Sequence, residues 1–330
     1  MIIKKYNQFE IFRFIGALSV LYYHATVHSS FSLGKIPFLL EHGIAWVFFF
    51  FLLSGFLLTY VYSNKNLDTR IFYKTRFFKF YPVYLLSLTL TLKFKGTIIY
   101  NMLLVQSWIF NRSLSYNSSA WYLSVLAFLL LLFPALLQFR KNKYFTYFVL
   151  IINLYVYYFF NYLFKLNSNS GTVLEFIKYN PLMYISTFTL GMLLYDKIKN
   201  IKKRNIYSFF TIIYIIFLLF APYNKFLPYN STVISLSFIP LIVFLYLDNG
   251  FFSKFLGNKI FIYLGSISYS IYILHRPLYI LFEKFIGEIR THADFIIYFL
   301  IVFFVSNLTK YFIENKFYQY LCKKYLNKAV

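Results

Sequence analysis

Arg13 and His24 stand in the first long apolar run of the chain, FEIFRFIGALSVLYYHATVH, from Phe9 to His28. The run is helix-forming and long enough to cross a bilayer. An ionisable side chain inside such a helix is costly, so it marks a functional site by default. At 3.6 residues per turn, the step from Arg13 to His24 closes to within about 20° of three full turns. Both side chains therefore leave one face of the helix, roughly 16 Å apart along its axis. Between them that face carries Gly16, Ala17 and Val20, small enough for another helix or a ligand to approach. A fixed cation can hold an anion, and an imidazole can move a proton near neutral pH. So spaced, the pair implies a polar pathway through the membrane.

The elements that must position this pair are membrane helices. Of 330 residues, 60% are hydrophobic, 25% aromatic and only 13% charged, and the mean hydropathy is +0.62. A soluble domain of this size carries about 25% charged residues. The composition predicts an all-α, polytopic membrane bundle formed by a single domain over 1–330, with no separate soluble domain. No removable signal peptide is expected, because the first helix is too long. Cys322 is the only cysteine, which excludes disulfides and cysteine-rich metal sites within one chain. No HxxxD pair or cluster of metal-ligand spacing appears, so no metal is expected.

Apolar runs predict about ten transmembrane helices, near 9–28, 38–62, 78–94, 120–138, 145–163, 181–196, 206–221, 231–247, 261–283 and 294–314. With both termini cytoplasmic, 21 of the 33 basic residues fall in inside segments and nine outside. Arg13, Arg276 and Lys310 lie within spans, and Lys79 and Lys93, at the two ends of 78–94, are counted with the inside and outside segments they adjoin. This asymmetry supports the orientation. It also accounts for the net charge of +23 without a nucleic-acid partner. The outer connections 95–119 and 164–180 are the longest. The residues Asn111, Ser113, Ser115, Asn117, Ser118 and Ser119 predict a water-facing loop in the first of them. His28, His42 and His292 fall at span ends or in outer loops, where solvation is expected.

Six motifs occur in order along the chain. Arginine, ten residues and histidine open it at Arg13 and His24. The run FFFFLLSGFLLTY holds Ser54 and Gly55, and Arg76-Phe-Phe-Lys79-Phe-Tyr-Pro82 follows the first basic loop. Trp121-Tyr122-Leu123-Ser124 leads to Pro134, and Ser268-Tyr269-Ser270-Ile-Tyr272-Ile-Leu-His275-Arg-Pro277-Leu278 comes late, before Glu314-Asn-Lys316. In this order they resemble the membrane acyltransferase-3 family, bacterial O-acyltransferases of surface carbohydrates. Two departures are plain. Lys79 stands where the family's basic motif has a second arginine, and it lacks the bidentate fork. Val125 and Leu126 stand where many members have an acidic pair, so the fourth span offers His24 no carboxylate.

The resemblance implies an O-acyltransferase of the bacterial cytoplasmic (inner) membrane. It would move an acyl group, acetyl first of all, from cytoplasmic acyl-CoA to a carbohydrate hydroxyl. Acetyl-CoA or another acyl-CoA is then a donor substrate, and no cofactor is permanently bound. The acceptor would be lipopolysaccharide, capsule, exopolysaccharide or another glycan, and membrane lipids are the remaining partners. His24 would be the general base, assisted by Arg13, with Arg76 and Lys79 on the donor's phosphates. Ser54, Gly55, Trp121, Tyr269 and His275 are motif residues that bind substrate or support the fold.

Plainer readings stand beside these. Arg13 can snorkel to the boundary, and His24 can be a buried histidine bonded to a carbonyl. Ser54-Gly55 can be a small-residue contact bringing span two against span one. Arg76 and Lys79 can be orientation signals, and Trp121 a belt aromatic. His275 can be half of a structural polar pair where Pro277 kinks its helix and frees a carbonyl. A rival function is a transporter or polysaccharide-export protein whose translocation path is lined by Arg13 and His24.

Overall fold

In the computed structural model, residues 6–34, 42–92, 95–165, 171–220 and 231–326 are described. Among them there is no strand, only an isolated bridge between Arg204 and Asp248. The first helix, α1, covers Glu10–Val27, and α2 covers Gly43–Tyr62. The expected start of the second span at 38–41 lies outside the described residues. Helix α3 runs over Thr69–Thr89, nine residues earlier than the 78 expected at its start. Asp68 sets that start by accepting the Ile71 N–H at 3.0 Å, which satisfies an otherwise orphaned donor of the first turn. Arg70, Lys74 and Arg76, expected in a loop, are therefore helical.

The connection 95–119 departs most from expectation. It holds a short helix α4 (Ile98–Met102) and a 3₁₀ turn at Gln106–Trp108. It also buries Ser113, Asn117 and Ser119 instead of giving them to water. These polar side chains are inside because the bundle supplies them with partners. The Asn117 amide donates to the Ile273 carbonyl at 2.8 Å. That carbonyl is the one Pro277, which has no N–H, leaves without its helical donor.

The chain continues through α5 (Trp121–Phe139), α6 (Lys143–Lys165), α7 (Gly171–Tyr179) and α8 (Ile185–Ile198). The helix α7 occupies part of what was expected to be an outer loop. After α9 (Ile206–Phe220), the single span expected at 231–247 is two helices, α10 (Ser231–Leu236) and α11 (Ile239–Leu247). Pro240, in the first turn of α11, cannot donate back across the break. A short α12 (Phe251–Leu256) precedes α13 (Lys259–Phe285). The last helix, α14 (His292–Thr309), starts at a capping box between Thr291 and Asp294. It does not end at 314. A π-helical stretch, Lys310–Phe317, carries it into α15 (Tyr318–Leu326).

Three described helical stretches are long and apolar enough to cross a membrane: Gly43–Tyr62, Trp121–Phe139 and His292–Leu326. Helix α1 packs against both α2 and α13, and α2 packs most extensively against α8. Glycines allow these approaches. A Cβ on Gly55 would collide with the Phe188 carbonyl oxygen, and one on Gly191 with the Leu52 carbonyl oxygen. Gly55 thus brings α2 against α8, not against span one. Gly43 lies over the Val20 backbone, and Gly265 over the Glu10 backbone. The small face of α1 is accordingly filled, with the Phe50 and Trp46 rings against Gly16.

Candidate functional site

A cavity of about 260 Å³ opens where α1, α2, α3, α5 and α13 converge. Arg13, Ser54, Arg76, Lys79 and Tyr269, five residues singled out from sequence, all line it. Tyr122 and Tyr272 form further parts of its wall.

Its charge is not distributed as the sequence suggested. The Arg13 guanidinium is held by Glu10, one turn earlier, at 3.0 Å. That pair carries no net charge. Arg76 and Lys79 make no ion pair among the described residues. The Arg76 Nε is buried without a hydrogen-bond partner, and its guanidinium lies 5.5 Å from the Phe72 ring centre. Lys79 stands over the Phe80 ring at 5.9 Å. The nearby carboxylate, Glu314, is already engaged by Lys310 at 3.0 Å and by the Ser270 hydroxyl at 2.5 Å. Two partly enclosed cations without an ion-pair partner among the described residues are costly alone, and their chemistry suits an anion. The Tyr269 hydroxyl is spent on the fold, donating to the Phe80 carbonyl at 2.6 Å.

His24 does not line this cavity. It belongs to an imidazole cluster at the other end of α1. Its ring centre is 5.2 Å from that of His275 and 5.9 Å from that of His28, with which it is nearly parallel. The His24 Nδ1 is buried and has no hydrogen-bond partner, so a ring bonded to a carbonyl through that nitrogen is not what the fold holds. His275 is fully buried. Its Nδ1 lies 3.3 Å from the Ile271 carbonyl, and its Nε2 lies 3.2 Å from the Ser119 hydroxyl. A carbonyl only accepts, so Nδ1 carries the proton, and in the neutral ring Nε2 accepts from Ser119. The Tyr298 hydroxyl donates to the His275 carbonyl at 2.9 Å. His28 is exposed, as expected for a residue at a span end, yet it also stacks on His24.

Tyr272 joins the two halves. It lines the cavity, its ring centre is 6.1 Å from that of His275, and its hydroxyl donates to the Ser119 carbonyl at 3.0 Å. Ser119, Asn117 and Glu10 are therefore candidate site residues that sequence reasoning missed, and from sequence Tyr272 is only part of a motif. Pro277 did signal that the Ile273 carbonyl needs a donor from elsewhere, but not that Asn117 supplies it. Trp121 is 4% exposed, packed against the rings of Tyr179 at 4.8 Å and Tyr184 at 5.5 Å. It sits inside the bundle, not in a lipid-facing belt.

A larger space of about 510 Å³ between α3 and α5 adjoins the first at Arg76, Phe80, Leu126 and Leu130. The hydroxyls of Tyr73, Tyr81, Tyr84 and Ser124 in its wall donate to backbone carbonyls, so apart from Arg76 the surface left over is largely apolar. Among the described residues no group of three His, Cys, Asp or Glu side chains is placed to hold a metal ion.

Residues 6–311 match the acyltransferase-3 family model, described as an acyltransferase domain. No curated protein and no solved structure matches the chain.

Proposed function

Because that match spans nearly the whole chain, the protein belongs to the acyltransferase-3 family of membrane acyltransferases, and we propose that it transfers an acyl group, acetyl in the first instance, from cytoplasmic acyl-CoA to a hydroxyl of an extracytoplasmic carbohydrate. The observation that carries this reading is the adjacency of an anion-receiving cavity and an imidazole pair, separated by the single ring of Tyr272.

Arg76 and Lys79 neutralise donor phosphates at the cavity, and Arg13, fixed by Glu10, supplies a directed N–H fork beside them. The thioester end then points toward Tyr272 and the histidines. His24 takes the proton of the acceptor hydroxyl as its oxygen attacks the thioester carbonyl. The carbon–sulfur bond breaks, and the CoA thiolate leaves to be protonated. No carboxylate ion-pairs with His24 among the described residues; the rings of His28 and of His275, the latter held by Ser119 and Ile271, face it instead. A translocation path lined by Arg13 and His24 has no comparable support, since only Arg13 borders the cavity.

The test is purified, full-length protein in lipid nanodiscs with radiolabelled acetyl-CoA. Release of free CoA, with label on added surface glycan, is expected. Glycan flux across proteoliposomes with no CoA release would reject the enzyme reading.

A further inference from the structure

Arg276 is a cation that the acyl-transfer chemistry above does not use. It lies on α13 next to His275, at the position between the histidine and Pro277. It makes no hydrogen bond or ion pair among the described residues, and its Nη1 is buried without a partner. Its guanidinium lies over the Tyr279 ring, 5.1 Å from the centre. The Tyr279 hydroxyl donates to the His28 carbonyl at 2.6 Å, and its ring centre is 6.1 Å from that of His28. His28 in turn stacks on His24. Arg276 is therefore linked to the proposed base through two aromatic rings, Tyr279 and His28, and it directly follows His275, whose ring centre is 5.2 Å from that of His24.

The carboxylates nearby do not neutralise it. Glu283 is within electrostatic range but forms no ion pair with it. Glu288 is taken by Arg290 at 3.1 Å and by the Ser30 hydroxyl at 3.2 Å. A guanidinium with an unsatisfied, buried N–H is expensive to keep in that position unless something fills it. Its planar fork matches an oxyanion group. The exposed His28 marks an open side of the cluster, and no described residue hydrogen-bonds the guanidinium, which leaves its fork to a group from solution.

We propose that Arg276, with His28 and Tyr279, forms a subsite that selects an anionic sugar, one bearing a carboxylate or phosphate, as the acceptor presented to His24. The word acceptor rests on the acyl-transfer reading; the anion preference does not. A carboxylate and a phosphate share this recognition chemistry, and separate probes distinguish them.

The experiment is binding, measured by saturation-transfer NMR on full-length protein in nanodiscs without donor. The probes are glucuronate, glucose 6-phosphate and methyl glucoside at one pH. At least one charged probe is expected to bind about tenfold more tightly than methyl glucoside, as one charged hydrogen-bonded contact would give. The better charged probe identifies the group. Arg276→Gln should remove the preference, and Arg276→Lys should keep part of it. Equal binding of all three probes by the wild-type protein overturns the proposal without recourse to any variant. So does a preference that survives Arg276→Gln. Acetyl-CoA turnover is measured separately, so its failure would reject the transfer reading and leave the binding result standing.

Discussion

At the residue scale, His24 and Arg76 make different demands on kinetics. His24→Ala removes the proposed base, and loss of a general base typically costs about 10²–10⁴-fold in rate. Transfer should fall by that amount while the protein remains in the membrane at near-normal abundance; unimpaired acylation would dismiss His24 as the base. His275→Ala tests positioning. It should lower kcat and leave the apparent KM for acetyl-CoA unchanged, because His275 lies beyond Tyr272 from the cationic cavity. Arg76→Ala should do the reverse and raise KM for acyl-CoA more than it lowers kcat, since phosphate contacts persist through the reaction. Lys79→Arg should match or exceed wild-type activity, because arginine adds a bidentate fork. Unchanged kinetics with both positions alanine would reduce this motif to an orientation signal.

Between elements, the reciprocal crossing of α2 and α8 is the tightest constraint. Gly55 and Gly191 each face a backbone carbonyl of the other helix, and backbone cannot yield as a side chain can. Gly55→Ala should therefore force the helices apart, with an overpacking cost of about 1–3 kcal/mol. The readout is a lower unfolding temperature in detergent; an unchanged value would mean that α2 and α8 can slide freely. The second constraint ties the connection between α4 and α5 to α13. Asn117→Leu would leave the Ile273 carbonyl unpaired at the Pro277 site, a penalty of about 1–3 kcal/mol. It should also disturb Ser119 and, through it, His275. Activity is expected to fall further than stability. A loss in strict proportion to folded protein would deny this link to the site.

For the whole molecule, ten spans with both ends inside would put the Arg76 end of the bundle in reach of cytoplasmic donor and the His28 end in reach of an outer acceptor. Reporter fusions after Tyr62, Tyr144 and Asn205 should report the cytoplasm, and fusions after Ser30, Ser115, Lys165 and Glu288 the outside. Reversal at two or more of these positions would break the separation of donor and acceptor. The same arrangement predicts that deleting the gene removes one ester from the cell's surface glycans, to be seen by chemical analysis. Unaltered glycan esters would argue for an acceptor of another kind.

The sequence by itself determined the solvent, the helical class and the family, because hydropathy and ordered motifs are local properties of the chain. The capping residues Asp68 and Thr291 start their helices at 69 and 292, ahead of the 78 and 294 that hydropathy alone suggested. The spacing of Arg13 and His24 on α1 was legible too, since a helix turns at a fixed angle per residue. What that spacing could not decide was whether the two residues share one chamber. Only the tertiary structure places Tyr272 between the Arg13 cavity and the histidines; the Glu10–Arg13 pair, three residues apart on α1, is local and was open to reading from helix spacing. Asn117 and Ser119 show the reason most clearly. Polar residues in an irregular segment are ordinarily assigned to water, yet a helix broken by Pro277 left a carbonyl that required a buried donor. Which donor answers is a long-range choice, made across the 156 residues that separate Asn117 from Ile273. No local pattern encodes it.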